Sequence, residues 1–184
     1  MAKATPPTVE LDELTALFYE SQEDLGTFVA VPPETCPAPY RAILAHQSHM
    51  TVAVEKRHGC SVDVEVLEAR TSGPHYLRKI LLRRQSDQRV VQFGIVRLAT
   101  LALQPQVRDE ILAQRIPLGR VLIDHNVMRQ VQLSGIWQVT CGPELAALFS
   151  CPQGHRCFGR TALIYCDGEP AVELLEIVAP EDLF

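Results

Sequence analysis

Gly59-Cys60-Ser61-Val62-Asp63-Val64-Glu65-Val66-Leu67 is the stretch at which the pattern of the chain changes. Before it, Met50 to Arg57 reads as a short helix, with Gly59 placed to take the left-handed conformation that ends one. After it, Val62, Val64 and Val66 alternate with Asp63, Glu65 and Leu67, the two-residue repeat of a strand with one buried face. Ser72-Gly73-Pro74 is then a turn, 75–84 a second strand, Ser86-Asp87-Gln88 another turn, and 89–99 a third strand. Connections this short imply antiparallel hairpins, because a parallel crossover needs a dozen or more residues.

The rest of the chain is read outward from this meander. Leu11, Leu14, Leu17 and Phe18 predict a helix over 10–21, after a Pro- and Thr-rich stretch 1–9 that reads as a frayed tail. The segment 26–39 holds four prolines and reads as a loop, with a short helix over 40–45 after it. Downstream come a helix over 106–114, a loop Pro117-Leu118-Gly119-Arg120, a strand over 127–139 and a small helix over 143–149. A final hairpin, 159–166 and 171–178, turns at Asp167-Gly168-Glu169-Pro170. The expected fold class is therefore α+β, in one domain over 1–184: an antiparallel sheet of about six strands with helices packed on it.

The 184 residues are 47% hydrophobic and 21% charged with a net charge of −5, the profile of an ordinary globular chain. No basic stripe interleaved with aromatics is present, which argues against a nucleic-acid partner. The apolar stretch 90–103 is broken by Gln92, Arg97 and Thr100, so no membrane span is expected. With no apolar run behind Lys3, the N-terminus does not read as a signal peptide, and the six scattered cysteines are expected as thiols of a cytoplasmic protein.

Two charged residues lie where a strand should bury them. In Tyr76-Leu77-Arg78-Lys79-Ile80-Leu81-Leu82, alternation puts Arg78 with Ile80 and Leu82, and Lys79 with Leu77 and Leu81. Both faces are mostly apolar, so one of the two cations is poorly placed for water. It must find a structural carboxylate, snorkel to solvent, or hold an anion brought by a ligand. In the last strand Glu173 and Glu176 are three apart and face opposite sides, so one of them lies toward the core. A carboxylate there holds its proton more tightly unless an arginine offsets the burial, which is how a general acid is made. Cys141, Cys151, His155 and Cys157 are the best zinc candidates, but their spacing lacks the paired Cys-x(2–4)-Cys pattern and no metal is expected.

Taken in order, these segments resemble the chorismate lyase (4-hydroxybenzoate synthase) family and its superfamily. The resembling parts are the Met50-Thr51 helix running into Gly59, the strand 61–67, the Tyr76 to Leu82 segment and Pro117-Leu118-Gly119-Arg120-Val121-Leu122. Arg129, Gly159-Arg160 and Gly168-Glu169-Pro170 leading to Glu176 follow, so the resemblance spans about residues 48–180. It implies a sheet enclosing an internal ligand cavity and a lyase that converts chorismate to 4-hydroxybenzoate and pyruvate without a cofactor. Arg78 would hold the ring carboxylate, Glu176 would act at the ring hydroxyl, and Leu118, Gly119 and Met50 would line the site. Arg160 and Arg129 are implied as further cations. Pro170 to Glu176 is one residue longer than the pattern, which leaves a bulge or a shifted strand open, and 138–157 looks like an insertion that could cover the pocket, alter its size or decorate the edge. The same superfamily fold also serves as the effector-binding domain of GntR-type regulators, so a small-molecule binding module for an aromatic carboxylate is the alternative. Against it, only about 40 residues precede the resembling region, without a basic helix-turn-helix.

Overall fold

The structure is a computed structural model and describes residues 8–183. Seven strands form one antiparallel sheet: β1 (Gly26–Val31), β2 (Val62–Ser72), β3 (His75–Arg84), β4 (Val90–Ala99), β5 (Arg129–Cys141), β6 (Arg156–Cys166) and β7 (Glu169–Val178). Their order across the sheet is β1-β5-β6-β7-β4-β3-β2. The two meanders expected from the turns, β2-β3-β4 and β5-β6-β7, are joined where β4 pairs with β7. Six helices flank the sheet: α1 (Leu11–Thr15), α2 (Ala38–Leu44), α3 (Met50–His58), α4 (Pro105–Leu112), α5 (Leu118–Asp124) and α6 (Pro143–Phe149). None of the described helices is long and apolar enough to cross a membrane.

Alternation gives the sheet two different faces. Leu81, Phe93, Ile95, Ile177 and Val139 point to the back, where α1 contributes Leu11 and Leu14 and α6 contributes Leu145, Ala146 and Phe149. Tyr76, Ile80, Leu82, Val96, Leu174 and Ile164 point to the front. There α2 and α3 pack over one half of the sheet, through Ile43, Leu44, Met50 and Val54. The other half carries α4 and α5, through Val107, Ile111, Val121 and Leu122. The front cover is thus split into two helix pairs, and the gap between them positions the site.

Four sequence expectations are corrected here. The strand β1 occupies the segment read as a loop, because the prolines that signalled a loop, at 32, 33, 37 and 39, all lie beyond the strand's end at Val31. Its one partner is β5, so it is an edge strand and makes a seventh where about six were expected. The expected helix over 10–21 stops at Thr15, whose hydroxyl donates back to the carbonyl of Leu11 at 3.2 Å. Pro117-Leu118-Gly119-Arg120 opens a helix rather than a loop: Pro117 presets the backbone, and Leu118, Val121 and Leu122 recur on one buried face. Of the expected tail 1–9, residues 1–7 lie outside the described residues, whereas Val9 is buried and its amide donates to Ser134 Oγ.

Of the bulge and the shifted strand left open before Glu176, the structure has the bulge. Tyr165 pairs with Pro170 and Ile164 with Val172, which leaves Ala171 as the extra residue of β7. The segment 138–157 does not cover the pocket. Its first residues continue β5, its last begin β6, and α6 between them packs into the back-face core. Its cysteines lie there too: Cys141 Sγ is 3.7 Å from Cys157 Sγ. The hydrogen bond with Cys157 pulls the Cys141 thiol down to about 7, against the effect of burial. Among the described residues, no three or more His, Cys, Asp or Glu side chains are arranged to hold a metal ion.

Candidate functional site

The register of the sheet assembles the site. Reading across the front face, Ile80 lies opposite Gly94, Gly94 opposite Glu176, and Glu176 opposite Arg160. In the adjacent row Arg78 lies opposite Val96 and Val96 opposite Leu174. Above these rows, in the gap between the helix pairs, is a small pocket of about 40 Å³ that is partly open to solvent. His49, Met50 and Thr51 at the start of α3 and Pro117, Leu118 and Gly119 at the start of α5 form its roof. The two helices approach closely at Gly119, where a Cβ would meet Thr51 Oγ1 at 3.0 Å and His49 at 3.4 Å.

Arg78 and Glu176, the two residues expected to share a cavity, both line this pocket, with Leu118, Gly119, Met50 and Arg160. Their surroundings differ sharply. Arg160 is 1% exposed and fully engaged. Its Nε donates to Glu176 Oε2 at 2.7 Å, and its Nη1 to the carbonyls of His46 at 3.0 Å and Leu44 at 3.3 Å. Its Nη2 donates to the Ser48 carbonyl at 3.4 Å. Arg160 therefore lines the pocket and also ties the α2–α3 connection down onto the sheet. Glu176 is correspondingly the partner of Arg160 on this face, while Glu173 pairs with Arg97 on the other.

Arg78 has no such partner. It is 2% exposed, and its Nε and Nη1 are buried without a hydrogen-bond acceptor among the described residues. Burial pushes its pKa down, and the hydroxyl of Tyr76 is the polar group that offsets this in part. That hydroxyl itself accepts from Gln114 Nε2 at 2.7 Å. A guanidinium keeps its charge under these conditions, so the pocket holds a cation whose counter-charge the described chain does not supply.

Arg129 is not in the pocket: it is exposed, and its Nη1 donates to the Val127 carbonyl. Two pocket residues were not foreseen. His49 is buried with Nε2 unpaired, and burial together with the nearby Arg129 and Arg160 pulls its pKa down to about 4. Gln92, 3% exposed, lines the pocket with an unpaired Oε1. Gln92 did leave a signal, as a polar residue in the run Val90-Val91-Gln92-Phe93 where the strand is otherwise apolar on both faces.

The sequence matches no protein family and no curated protein. Solved structures do match the fold. The effector domain of PhnF from Mycobacterium smegmatis aligns at 14% identity with a TM-score of 0.55, covering 73% of this chain and 90% of that one. PhnF itself, also from Mycobacterium smegmatis, gives the same score and identity, with 74% of this chain and 65% of that one covered. A ligand-binding domain assigned to a GntR-family transcriptional regulator of Bordetella bronchiseptica aligns at 14% identity and a TM-score of 0.48, covering 65% of this chain and 86% of that one. The two PhnF matches establish the chorismate lyase-like α+β fold. They also correct the expectation of an enzyme: the solved structures that carry the fold comparison are PhnF and its effector domain, and chorismate cleavage to 4-hydroxybenzoate and pyruvate is set aside.

Proposed function

We propose that this chain is a small-molecule binding domain whose pocket captures a carboxylate-bearing ligand through Arg78. The observation that carries the reading is the unpaired guanidinium, buried in a pocket in which every other cation is neutralised by the protein. An isolated buried charge costs several kcal/mol, and a carboxylate gripped by the planar two-donor fork offsets that cost when the ligand arrives. The apolar lining from Ile80, Leu82, Val96, Ile164 and Leu174 suits a compact hydrocarbon or aromatic body behind the carboxylate. Because Glu176 Oε2 is held by Arg160, the pocket is built to fix orientation.

Titration calorimetry with benzoate and hexanoate tests this. The wild type is expected to bind at least one of the two acids, and Arg78→Lys is expected to weaken it by about 10- to 100-fold, because lysine keeps the charge and loses the fork. Equal affinity in the wild type and in Arg78→Met would end the reading.

A further inference from the structure

Three of the six cysteines, Cys141, Cys151 and Cys157, converge on the back face of the sheet, away from the pocket. The strand register brings two of them together. Val139 lies opposite Cys157, and two residues on, the Cys141 amide donates to the His155 carbonyl at 2.8 Å. Cys141 and Cys157 are therefore diagonal neighbours on one face of β5 and β6. Their sulfurs are 3.7 Å apart. Cys151 is half-buried just after α6, where its amide donates to the Ala146 carbonyl at 3.0 Å, and it packs against the same cluster.

The three thiols are not equivalent. Cys157 donates to Cys141, and this hydrogen bond lowers the Cys141 pKa to about 7 against the effect of burial, with Cys151 and the nearby His155 acting in the same direction. The proton stays with the other two. The bond to Cys141 and burial push the Cys157 thiol up, while burial and the charge on Cys141 push Cys151 up to about 11. A cysteine that only fills a core has its thiol raised by burial, as Cys36 and Cys166 do. Cys141 departs from this: near neutral pH a large share of it is thiolate, the form that attacks an oxidant. Together with Gly142 and Gly154 it also lines a cleft of about 580 Å³ that is open to solvent.

We propose that Cys141 and Cys157 are a redox-sensitive pair, a modification site at which a hydroperoxide converts two neighbouring thiols into a disulfide. The Cys141 thiolate attacks one oxygen of the peroxide. An S–O bond forms, the O–O bond breaks, and the leaving oxygen takes up a proton and departs as water or an alcohol. The Cys157 sulfur then attacks the sulfenic acid on Cys141. The S–S bond forms, the S–O bond breaks, and water leaves with the Cys157 proton. Two thiols lose two electrons in all, and one peroxide is reduced. The sulfurs have to close from 3.7 Å to a bond of about 2.0 Å, a distance that side-chain rotation covers. The bond ties together the two ends of the segment that carries α6, and with it Glu144, the partner of Lys79.

The test treats the reduced full chain with a graded excess of hydrogen peroxide, blocks the remaining thiols and maps the tryptic peptides by mass. Cleavage after Arg129, Arg156 and Arg160 puts Cys141 and Cys151 in peptide 130–156 and Cys157 in peptide 157–160. The expected product is these two peptides joined, at peroxide levels that leave Cys36 and Cys166 unmodified, and separated again by dithiothreitol. Cys141→Ala is expected to abolish the joined product, and Cys151→Ala to keep it. In Cys157→Ala the sulfenic acid is expected to remain on Cys141, where dimedone traps about tenfold more of it than at Cys36 or Cys166. Should an alanine variant not fold, serine at the same position carries the comparison, and the wild-type map needs no variant. Peptides that never join in the wild type, or join only once urea has unfolded it, overturn the proposal. Joining that survives Cys141→Ala would give the bond to Cys151 and overturn the role of Cys141.

Discussion

Arg78 and Lys79 are consecutive residues of one strand, yet the two faces of the sheet treat them in opposite ways. On the back, Lys79 Nζ donates to Glu144 Oε1 at 3.0 Å and lies 4.8 Å from the centre of the Tyr19 ring. On the front, Arg78 is more deeply buried and its Nε and Nη1 find no acceptor. The acids of β7 repeat the contrast. Glu173 shares the half-buried Arg97 with Glu13, while the buried Glu176 belongs to Arg160. The back face is finished by its own chain, with α6 supplying both apolar cover and the counter-charge for Lys79. Among the described residues, the front face leaves buried groups unsatisfied at Arg78, Gln92 and His49, which line the pocket, and at His46 in the α2–α3 connection. An interior tolerates so many unsatisfied groups in one place when something else completes them, and their convergence on one pocket says where that partner sits.

The largest expected effect separates the two ion pairs. Arg160→Met removes a fully buried cation, strands Glu176 and releases the carbonyls of Leu44, His46 and Ser48. Breaking such a pair costs about 3–5 kcal/mol, or roughly 10 °C of melting temperature for a chain of this size. Arg97→Met breaks a pair with side chains about a quarter exposed, and is expected to cost about 1 kcal/mol or less. Urea denaturation of both variants decides it. Equal losses would mean that the two faces do not differ in the way argued here.

Much of this architecture is legible in the sequence. The meander from Val62 to Ala99 follows from alternation and from two turns of Gly, Pro, Ser and Asp, and the last hairpin follows from Asp167-Gly168. Parity alone puts Arg78 opposite Lys79 and Glu173 opposite Glu176, but not which member of each pair faces the pocket. That choice is made by the long-range pairing of β4 with β7, which a local pattern does not encode. The prolines after Val31 hid β1 because they announce the end of a strand as strongly as a loop. Gly119 hid α5 in a similar way: it is small because α3 crosses there, not because the chain turns. The anchoring of Arg160 was not legible, because it rests on the backbone carbonyls of Leu44, His46 and Ser48, 112 to 116 residues distant, which carry no side-chain signature.

The next effect is a pH dependence confined to the front face. Of the described histidines only His49 is buried, and Arg129 and Arg160 add to the burial that holds its pKa near 4. In the unfolded chain it returns to about 6.5, so between these values the unfolded state binds a proton that the folded state refuses. Stability from this group is complete above pH 6.5 and is lost as pH falls toward 4, by about 2 kcal/mol between pH 7.5 and 5. His46 and His58, also lowered by burial, act in the same direction, so the difference between wild type and His49→Asn isolates the one residue. Denaturation at pH 7.5 and 5 is expected to give a smaller drop in the variant. Identical drops would mean that His49 is open to protonation in the fold.

The smallest effect is the most direct, because the two neighbours are expected to move in opposite directions. Arg78→Met replaces an unpaired buried cation by an apolar side chain that can pack against Val96 and Leu174, and is expected to raise the stability of the unliganded protein by about 1–2 kcal/mol. Lys79→Met gives up the contact with Glu144 and the Tyr19 ring, and is expected to lower it by up to about 1 kcal/mol. A saturating carboxylate then inverts the order. The wild type and Lys79→Met both gain binding free energy, about 2.7 kcal/mol at a hundredfold excess over Kd, while Arg78→Met gains none. Melting curves of the three proteins, with and without the acid that binds, read both halves of the prediction. Destabilisation by Arg78→Met in the absence of ligand would place a partner for Arg78 inside the protein, and the contrast between the faces would collapse at the residue on which it was built.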